Sequence, residues 1–265
     1  MKKKKTTHTI CFANNKGGSG KSTSCANLGS ALAAMGRKVL LVDGDMQLNL
    51  SLSFLDEEEV LALAAGGKNL YTAVTQEKEL SEFIIPGGQE NIDLIPSSTL
   101  MSQIEMDLFP KWQREFILSK LLSGIKESGV YDYILIDAPP TLGGWVMNIL
   151  ITSDYVIVPV EATPWGLFGL ANMFEFIGKI RQMAPGLSIL GVLITKVDER
   201  KNYYHQTAQT LRELDDIRVF DNVIHVDSAI EWAQDASSTV VVYKRSARSA
   251  KEYLNLAKEV DQLCQ

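Results

Sequence analysis

The stretch NNKGGSGKST, residues 14–23, sits between a short apolar run, HTICFA at 8–13, and an apolar pattern of helical period over 21–35 that ends near Gly36. Gly17, Gly18 and Gly20 let the backbone curl until successive N–H groups point at one anion, and a helix opening at Lys21 adds its positive end. In the phosphate-loop pattern G-x-x-x-x-G-K-[ST], Lys21 reaches the β and γ phosphates of a nucleotide and Ser22 holds Mg2+; Ser19 and Thr23 belong to the same cradle. A glycine-rich turn without a ligand is the plainer reading. It leaves unexplained why glycines, lysine and hydroxyl all fall in register between a strand and a helix. Two departures mark the loop: Asn15 takes the place of the first glycine, and a second lysine, Lys16, precedes the glycine pair.

Outward from the loop, further runs have the look of buried strands: KVLLVD at 38–43, YILID at 133–137, YVIVPV at 155–160, ILGVLIT at 189–195 and TVVVY at 239–243. Helical patterns lie between and after them at 112–127, 165–183, 203–214 and 246–263. Strand and helix in alternation, with strands apolar throughout, predict an α/β fold: a doubly wound, mostly parallel sheet with helices on both faces. Ligands of such sheets bind at the carboxyl ends of the strands, so the chemistry is expected just after residues 13, 43, 137, 160 and 195. The stretch 52–105, with its acidic DEEEV and glycine pairs at 66–67 and 87–88, is less regular and is expected to be an edge elaboration carrying short helices. One domain is expected over 1–265, with 1–7 a frayed basic terminus.

The formal net charge is -6, so nucleic acid would have to be met by a local basic patch and not by the global field. Cys11, Cys25 and Cys264 form no CxxC pair, against a disulfide framework, a zinc knuckle or an iron–sulfur cluster within the chain. No apolar run reaches the roughly 18 to 20 residues that span a bilayer, and the start has no signal-peptide core, so a cytoplasmic protein is expected.

KGGSGKST at 16–23 is the deviant Walker A motif, and through it the chain resembles the ParA/MinD family of P-loop ATPases. The likeness continues through VPVEATPWGLFGL at 158–170 to KEYLNLAKEV at 251–260. It implies ATP and Mg2+ as cofactors, a P-loop NTPase fold, and a homodimer in which Lys16 crosses to the phosphates held by the other subunit. A cation placed before the loop folds back onto its own γ phosphate with difficulty, whereas a two-fold partner can present it there.

LLVDGDMQ at 40–47 ends a strand with two carboxylates at i and i+2, which share a face, so Asp43 and Asp45 are both expected to point at phosphate and metal. The family shows D-x-D-P-Q here; the resemblance makes Asp45 the residue that positions the hydrolytic water and the metal, with Met46 replacing the usual proline. YDYILIDAPP at 131–140 has the Walker B arrangement, in which Asp137 holds Mg2+ through water. APPTLGGWVMN at 138–148 resembles switch II, with Gly143 and Gly144 giving mobility. No nucleophile triad accompanies the site, and phosphoryl transfer needs none: positioning and charge neutralisation by Lys16, Lys21 and Asp45 suffice for slow ATP hydrolysis. By resemblance the base is read by ITKVDER at 194–200 and NVIHVDSA at 222–229, which nominates Thr195, Lys196, Ile224 and His225. Lys196 and Asp198 are half of a guanine-reading N-K-x-D without its asparagine, so ATP is preferred. His225 and Val226 stand where close relatives carry proline and arginine.

VEATPWGLFGLANM at 160–173 resembles the partition ATPases, of the short ParA or Soj type. That implies an ATP dimer that binds nonspecific DNA on the nucleoid, is released on hydrolysis stimulated by a ParB-like activator, and segregates a plasmid or chromosome. The candidate DNA patch is Lys244, Arg245, Arg248 and Lys251, where an ordinary solvated helix face is the alternative. Four rivals share the scaffold: a positioner of another cargo, a MinD-like membrane regulator, a dethiobiotin-synthetase-like ligase, and an iron–sulfur carrier or nitrogenase-reductase-like protein, which the missing central cysteines disfavour. The membrane reading needs a terminal amphipathic helix, and 246–265 instead ends in polar DQLCQ, so no membrane partner is expected.

Overall fold

Strands that are apolar at every position must be covered on both faces, and the chain does this with two separate helical layers. The computed structural model describes residues 6–213 and 217–265. Its strands are β1 (His8–Phe12), β2 (Val39–Asp43), β3 (Ile85–Pro86), β4 (Ile92–Ile95), β5 (Tyr133–Asp137), β6 (Tyr155–Glu161) and β7 (Ser188–Thr195). Among the described residues they form one sheet in the order β3-β4-β2-β5-β1-β6-β7, parallel except where β3 pairs antiparallel with β4. The helices are α1 (Lys21–Ala34), α2 (Glu57–Ala65), α3 (Leu70–Thr75), α4 (Ile104–Leu108), α5 (Ile117–Ser128), α6 (Gly144–Thr152), α7 (Pro164–Ile180), α8 (Asn202–Arg212), α9 (Ser228–Asp235), α10 (Val240–Tyr243) and α11 (Arg248–Leu263).

Alternation along each strand sorts the core. Ile10 and Phe12 of β1 pack with Leu41, Leu135 and the apolar faces of α1 and α11, while Cys11 pairs off with Val42, Ile136 and the layer of α5, α6 and α7. Helix α1 lies so close to the sheet that a Cβ at Gly29 would come within 2.8 Å of Leu41 Cδ2, which explains a glycine in mid-helix. The register sets Asp43 beside Asp137 across β2 and β5, and Phe12 beside Asp137 across β1 and β5. The ends of three central strands therefore meet at one carboxyl edge, with the residue 14–20 loop wrapped over it.

Three expectations need correction. TVVVY at 239–243 is not a strand: Val240–Tyr243 forms the short helix α10, with Val240 and Val241 buried, Val242 exposed, and the Val240 N–H donating to Asn27 Oδ1 at 2.8 Å. Packing against α1 and α11 overrides the β preference of three valines. The stretch 52–105 is more than an edge elaboration with helices, since IDLI at 92–95 is β4, paired parallel to β2. The helix expected from 112 begins at Ile117, after a single 3₁₀ turn at Arg114–Phe116. Lysines 2–5 and residue 214 lie outside the described residues.

Candidate functional site

The loop after β1 is anchored before it is shaped. The Asn14 amide donates to the Pro159 carbonyl at 2.7 Å, and its oxygen accepts the Lys16 N–H at 3.1 Å, pinning the loop to β6. Gly18 and Gly20 hold φ of 72° and 84°, the left-handed region that only glycine enters without strain. Gly17 differs from the expectation that all three glycines are needed for the curl. It lines the phosphate cavity, but its φ lies outside the left-handed region and a Cβ there would meet nothing within 4 Å. Backbone geometry therefore demands glycine at 18 and 20 and not at Gly17. Gly20 opens α1, which has neither a capping side chain nor an acidic residue in its first turn, so its positive end faces the loop unquenched. From the far side Thr195 Oγ1 donates to the Ser19 carbonyl at 2.8 Å, tying the loop to the end of β7.

Lys21 is 5% exposed, and its ammonium donates to the Lys16 carbonyl at 3.1 Å. Burial pulls its pKa down, opposed by the carboxylates of Asp137 and Asp45. Asp137 is fully buried, and neither of its oxygens has a partner of full hydrogen-bond geometry among the described residues. Burial and then the neighbouring Asp43 push its pKa well above the carboxylate range, against the nearby Ser22 hydroxyl and Lys21. Asp43 behaves differently from the expectation that both members of the pair face the phosphates. It accepts from the Ser51 N–H at 2.8 Å and the Ser51 hydroxyl at 2.6 Å, and so locks the 44–51 loop. Burial raises its pKa to about 6, with the Ser51 bonds opposing. Asp45 alone of the two lines the phosphate cavity, and its carboxylate accepts the Gln47 N–H at 3.1 Å.

Two cavities meet over the loop. One of about 290 Å³ is lined by Gly18, Lys21, Ser22, Asp45 and Lys196; the other, about 300 Å³, by Thr195, Ile224, His225, Asp227 and Tyr253. Gly20, Thr23, Lys196 and Gln234 border both, so the two form one elongated cleft of nucleotide proportions. Lys196 holds a left-handed φ of 53° at the junction. Gln234 of α9 donates to Thr23 Oγ1 at 3.2 Å across it. Gln234 escaped sequence reading because α9 carries no motif, and its position over the loop comes wholly from chain packing.

His225 is stitched to the start of α11. Its N–H donates to Glu252 Oε2 at 3.0 Å, its Nδ1 lies 2.7 Å from Glu252 Oε1, and its Nε2 lies 2.9 Å from Glu199 Oε1 and 2.6 Å from Arg248 Nη2. Arg248 pairs in addition with Glu252 at 2.9 Å and Glu199 at 3.3 Å. Asp227 completes the seam by accepting from the Ser249 N–H and hydroxyl at 3.1 and 2.8 Å. Of the four residues expected to form a basic patch, Arg248 is thus paired with two carboxylates, although its side chain is 56% exposed. Arg245 and Lys251 are exposed, and Lys244 sits 5.5 Å over the ring of Trp232. Lys16 stands at the rim, one third exposed, with its ammonium 3.9 Å from Glu161 Oε2. No helix of the described residues is long and apolar enough to cross a membrane.

The profile of the AAA domain family matches residues 7–189. The chain is 33% identical over 256 residues to the sporulation initiation inhibitor protein Soj of Bacillus subtilis, covering 95% of this chain and 97% of that one. Among solved structures it resembles a putative plasmid partition protein of Borrelia burgdorferi bound to AMPPNP, at 26% identity and a TM-score of 0.80 over 97% of this chain and 99% of that one. It also resembles a cobyrinic acid a,c-diamide synthase of Mycobacterium smegmatis with bound ATP analogue and magnesium, at 25% identity and a TM-score of 0.82 over 98% and 96%. A loop with two lysines around its glycines, a buried carboxylate at the end of β5 and likeness along nearly the whole chain lead to one assignment: this chain belongs to the AAA domain family, within the ParA/MinD group that contains the Soj and ParA partition ATPases.

Proposed function

We propose that the protein is a partition ATPase whose ATP-bound dimer binds DNA regardless of sequence and lets go after slow hydrolysis stimulated by a ParB-like partner. The observation that carries the reading is the cleft itself: a glycine cradle with Lys21 and Ser22, both next to the buried Asp137 carboxylate, opens directly into a second cavity of base size.

The donor set suits magnesium held jointly with phosphate. Mg2+ keeps several waters and takes one or two carboxylates with substrate phosphates, and Ser22 and Asp137 supply such a partial set. Bound there, the ion would neutralise charge developing on the phosphates. The chain's own residues do the rest: the loop N–H groups and Lys21 hold the phosphates, and Asp45 orients the attacking water.

Adenine fits the base loop better than guanine. The N–H groups of Ile224, His225 and Val226 are spent on Ile194 O, Glu252 Oε2 and Val197 O, at 2.9, 3.0 and 3.0 Å. None of these three N–H groups is left to donate to the guanine carbonyl. Asp198, which would have to read guanine, is clamped by Arg200 at 2.8 and 2.9 Å, which lowers its pKa to about 2.

Lys16 has a loose tether to Glu161 and room to reach a facing subunit, which would make dimerisation a condition of hydrolysis. Lys244, Arg245 and Lys251, doubled by a two-fold axis, would supply phosphate contacts for DNA. Co-sedimentation with DNA in ATP, ADP and no nucleotide, with liposomes in parallel, tests the reading. Pelleting with DNA in ATP alone is expected, and pelleting with liposomes in place of DNA would overturn it.

A further inference from the structure

Asp45 is held in place less by its own side chain than by the peptide next to it. The Gly44 N–H donates to the Asp137 carbonyl at 2.9 Å, and the Gly44 carbonyl accepts the indole N–H of Trp145, also at 2.9 Å. There is no space for a side chain in between: a Cβ at Gly44 would lie 2.6 Å from the Asp137 carbonyl oxygen and 3.4 Å from Trp145 Nε1. Gly44 is therefore held through both of its backbone groups, its N–H by the end of β5 and its carbonyl by α6, while the Asp45 N–H donates to Asp43 Oδ1 at 3.2 Å.

Trp145 occupies the first turn of α6, directly after the 138–143 segment, and is 2% exposed. The end of α6 is held in turn by Glu105 of α4, whose carboxylate accepts the N–H groups of Gly144 and Trp145 at 3.0 and 2.9 Å. A buried tryptophan on a helix is ordinarily core packing, and any large apolar side chain would serve that purpose. Only tryptophan brings a donor with no accepting capacity, and here it is spent on the carbonyl between two carboxylates and not on a helix or a sheet. Trp145 lines neither the phosphate cavity nor the base cavity; it lines an adjoining cavity that shares Asp45, Gln47 and Pro140 with the phosphate cavity.

We propose that Trp145 is a positioning residue for ATP hydrolysis: its indole N–H fixes the Gly44 peptide and so aims Asp45, passing each shift of the α6 N-terminus to that carboxylate. The inference rests on the reading of the cleft as an ATPase site and names the contact that joins the 44–51 loop to the start of α6. Misaiming a catalytic group by about an ångström costs up to about a hundredfold in rate without weakening binding that does not use it.

The test compares the full chain with two forms: Trp145→Phe, and Trp145 replaced by the benzothienyl isostere, in which sulfur stands for the indole N–H at nearly unchanged shape. Steady-state ATPase activity, affinity for a fluorescent ATP analogue and Tm are measured on each. The expected result is a fall in kcat of roughly 10- to 100-fold in the isostere, with analogue affinity within about twofold and Tm within a few degrees. Unchanged kcat in the isostere overturns the proposal, as does a joint loss of kcat, affinity and Tm, which would make Trp145 packing alone. Asp45→Ala is run beside them. If Asp45→Ala is inactive and the isostere is not, this inference fails and the ATPase reading stands; if Asp45→Ala turns over normally, the assignment of Asp45 falls and takes this inference with it.

Discussion

Replacing Asp137 with asparagine should stabilise the nucleotide-free protein at neutral and alkaline pH while abolishing its stabilisation by ATP and magnesium. Both carboxylate oxygens are buried without a partner of full geometry, and burial together with Asp43 outweighs the nearby Ser22 hydroxyl and Lys21 to raise the pKa. A carboxyl whose folded pKa lies above its unfolded value of about 3.9 contributes stability below that value and loses it as pH rises through the folded pKa. The wild type is therefore penalised progressively above about pH 4, and the neutral amide escapes the penalty. A buried group without a full partner costs about 1–3 kcal/mol and more when charged, so the amide, which bears only the neutral part, should gain on the order of 2 kcal/mol. For a chain of 265 residues, about 2 kcal/mol corresponds to roughly 4–8 °C in Tm. Thermal melts at pH 5 and pH 8 should show the asparagine variant nearly matched with wild type at the lower pH and several degrees above it at the higher. Adding magnesium and ATP at about 100 times Kd should lift the wild type by about 2.7 kcal/mol and the variant by much less, reversing the order. An asparagine variant that melts below wild type at pH 8 without nucleotide would show instead that Asp137 is a stabilising counter-ion for Lys21, and the reasoning would be wrong.

Lys16→Ala should abolish hydrolysis and weaken ATP-driven dimerisation in sedimentation while leaving much of the monomer's nucleotide binding; wild-type ATPase activity in that variant would contradict a cross-subunit role. Arg245→Ala with Lys251→Ala should weaken DNA binding and lower the salt slope by about two per subunit. Arg248→Ala should weaken ATP binding as well as DNA binding, because its partners Glu199, Glu252 and His225 hold the base loop; calorimetry showing intact ATP affinity would remove it from the cleft. Gly44→Ala, whose Cβ would lie 2.6 Å from the Asp137 carbonyl, should cost about 1–3 kcal/mol in denaturant unfolding along with most of the ATPase activity.

Much of the site could be read before any fold was known, since a phosphate loop is a contiguous device. Its glycines, Lys21 and Ser22 act on neighbours within a few residues, and the strand before and helix after them have local periodicity. Asp137 was legible for the same reason, at the end of an unbroken apolar strand. The partition of roles between Asp43 and Asp45 was not. Strand alternation puts both on one face, but Ser51 takes Asp43 away through a loop whose course the i, i+2 rule does not describe. Arg248 and Lys251 share a helix face by spacing, yet Arg248 is drawn to Glu199, a residue 49 positions away.

TVVVY and IDLI mark the same boundary in secondary structure. Three valines favour a strand and become a helical turn because α1 and α11 offer a buried slot; IDLI, inside a stretch expected to carry short helices, becomes a strand by pairing with β2. The sequence by itself determined the local chemistry: a glycine cradle, its two lysines, and a carboxylate at the end of a strand. Only the tertiary structure decided which of the other charged and aromatic groups serve that cradle, because those choices are made by hydrogen bonds such as Trp145 to Gly44, 101 residues apart. Their geometry depends on how the layers pack and leaves no periodic trace along the chain.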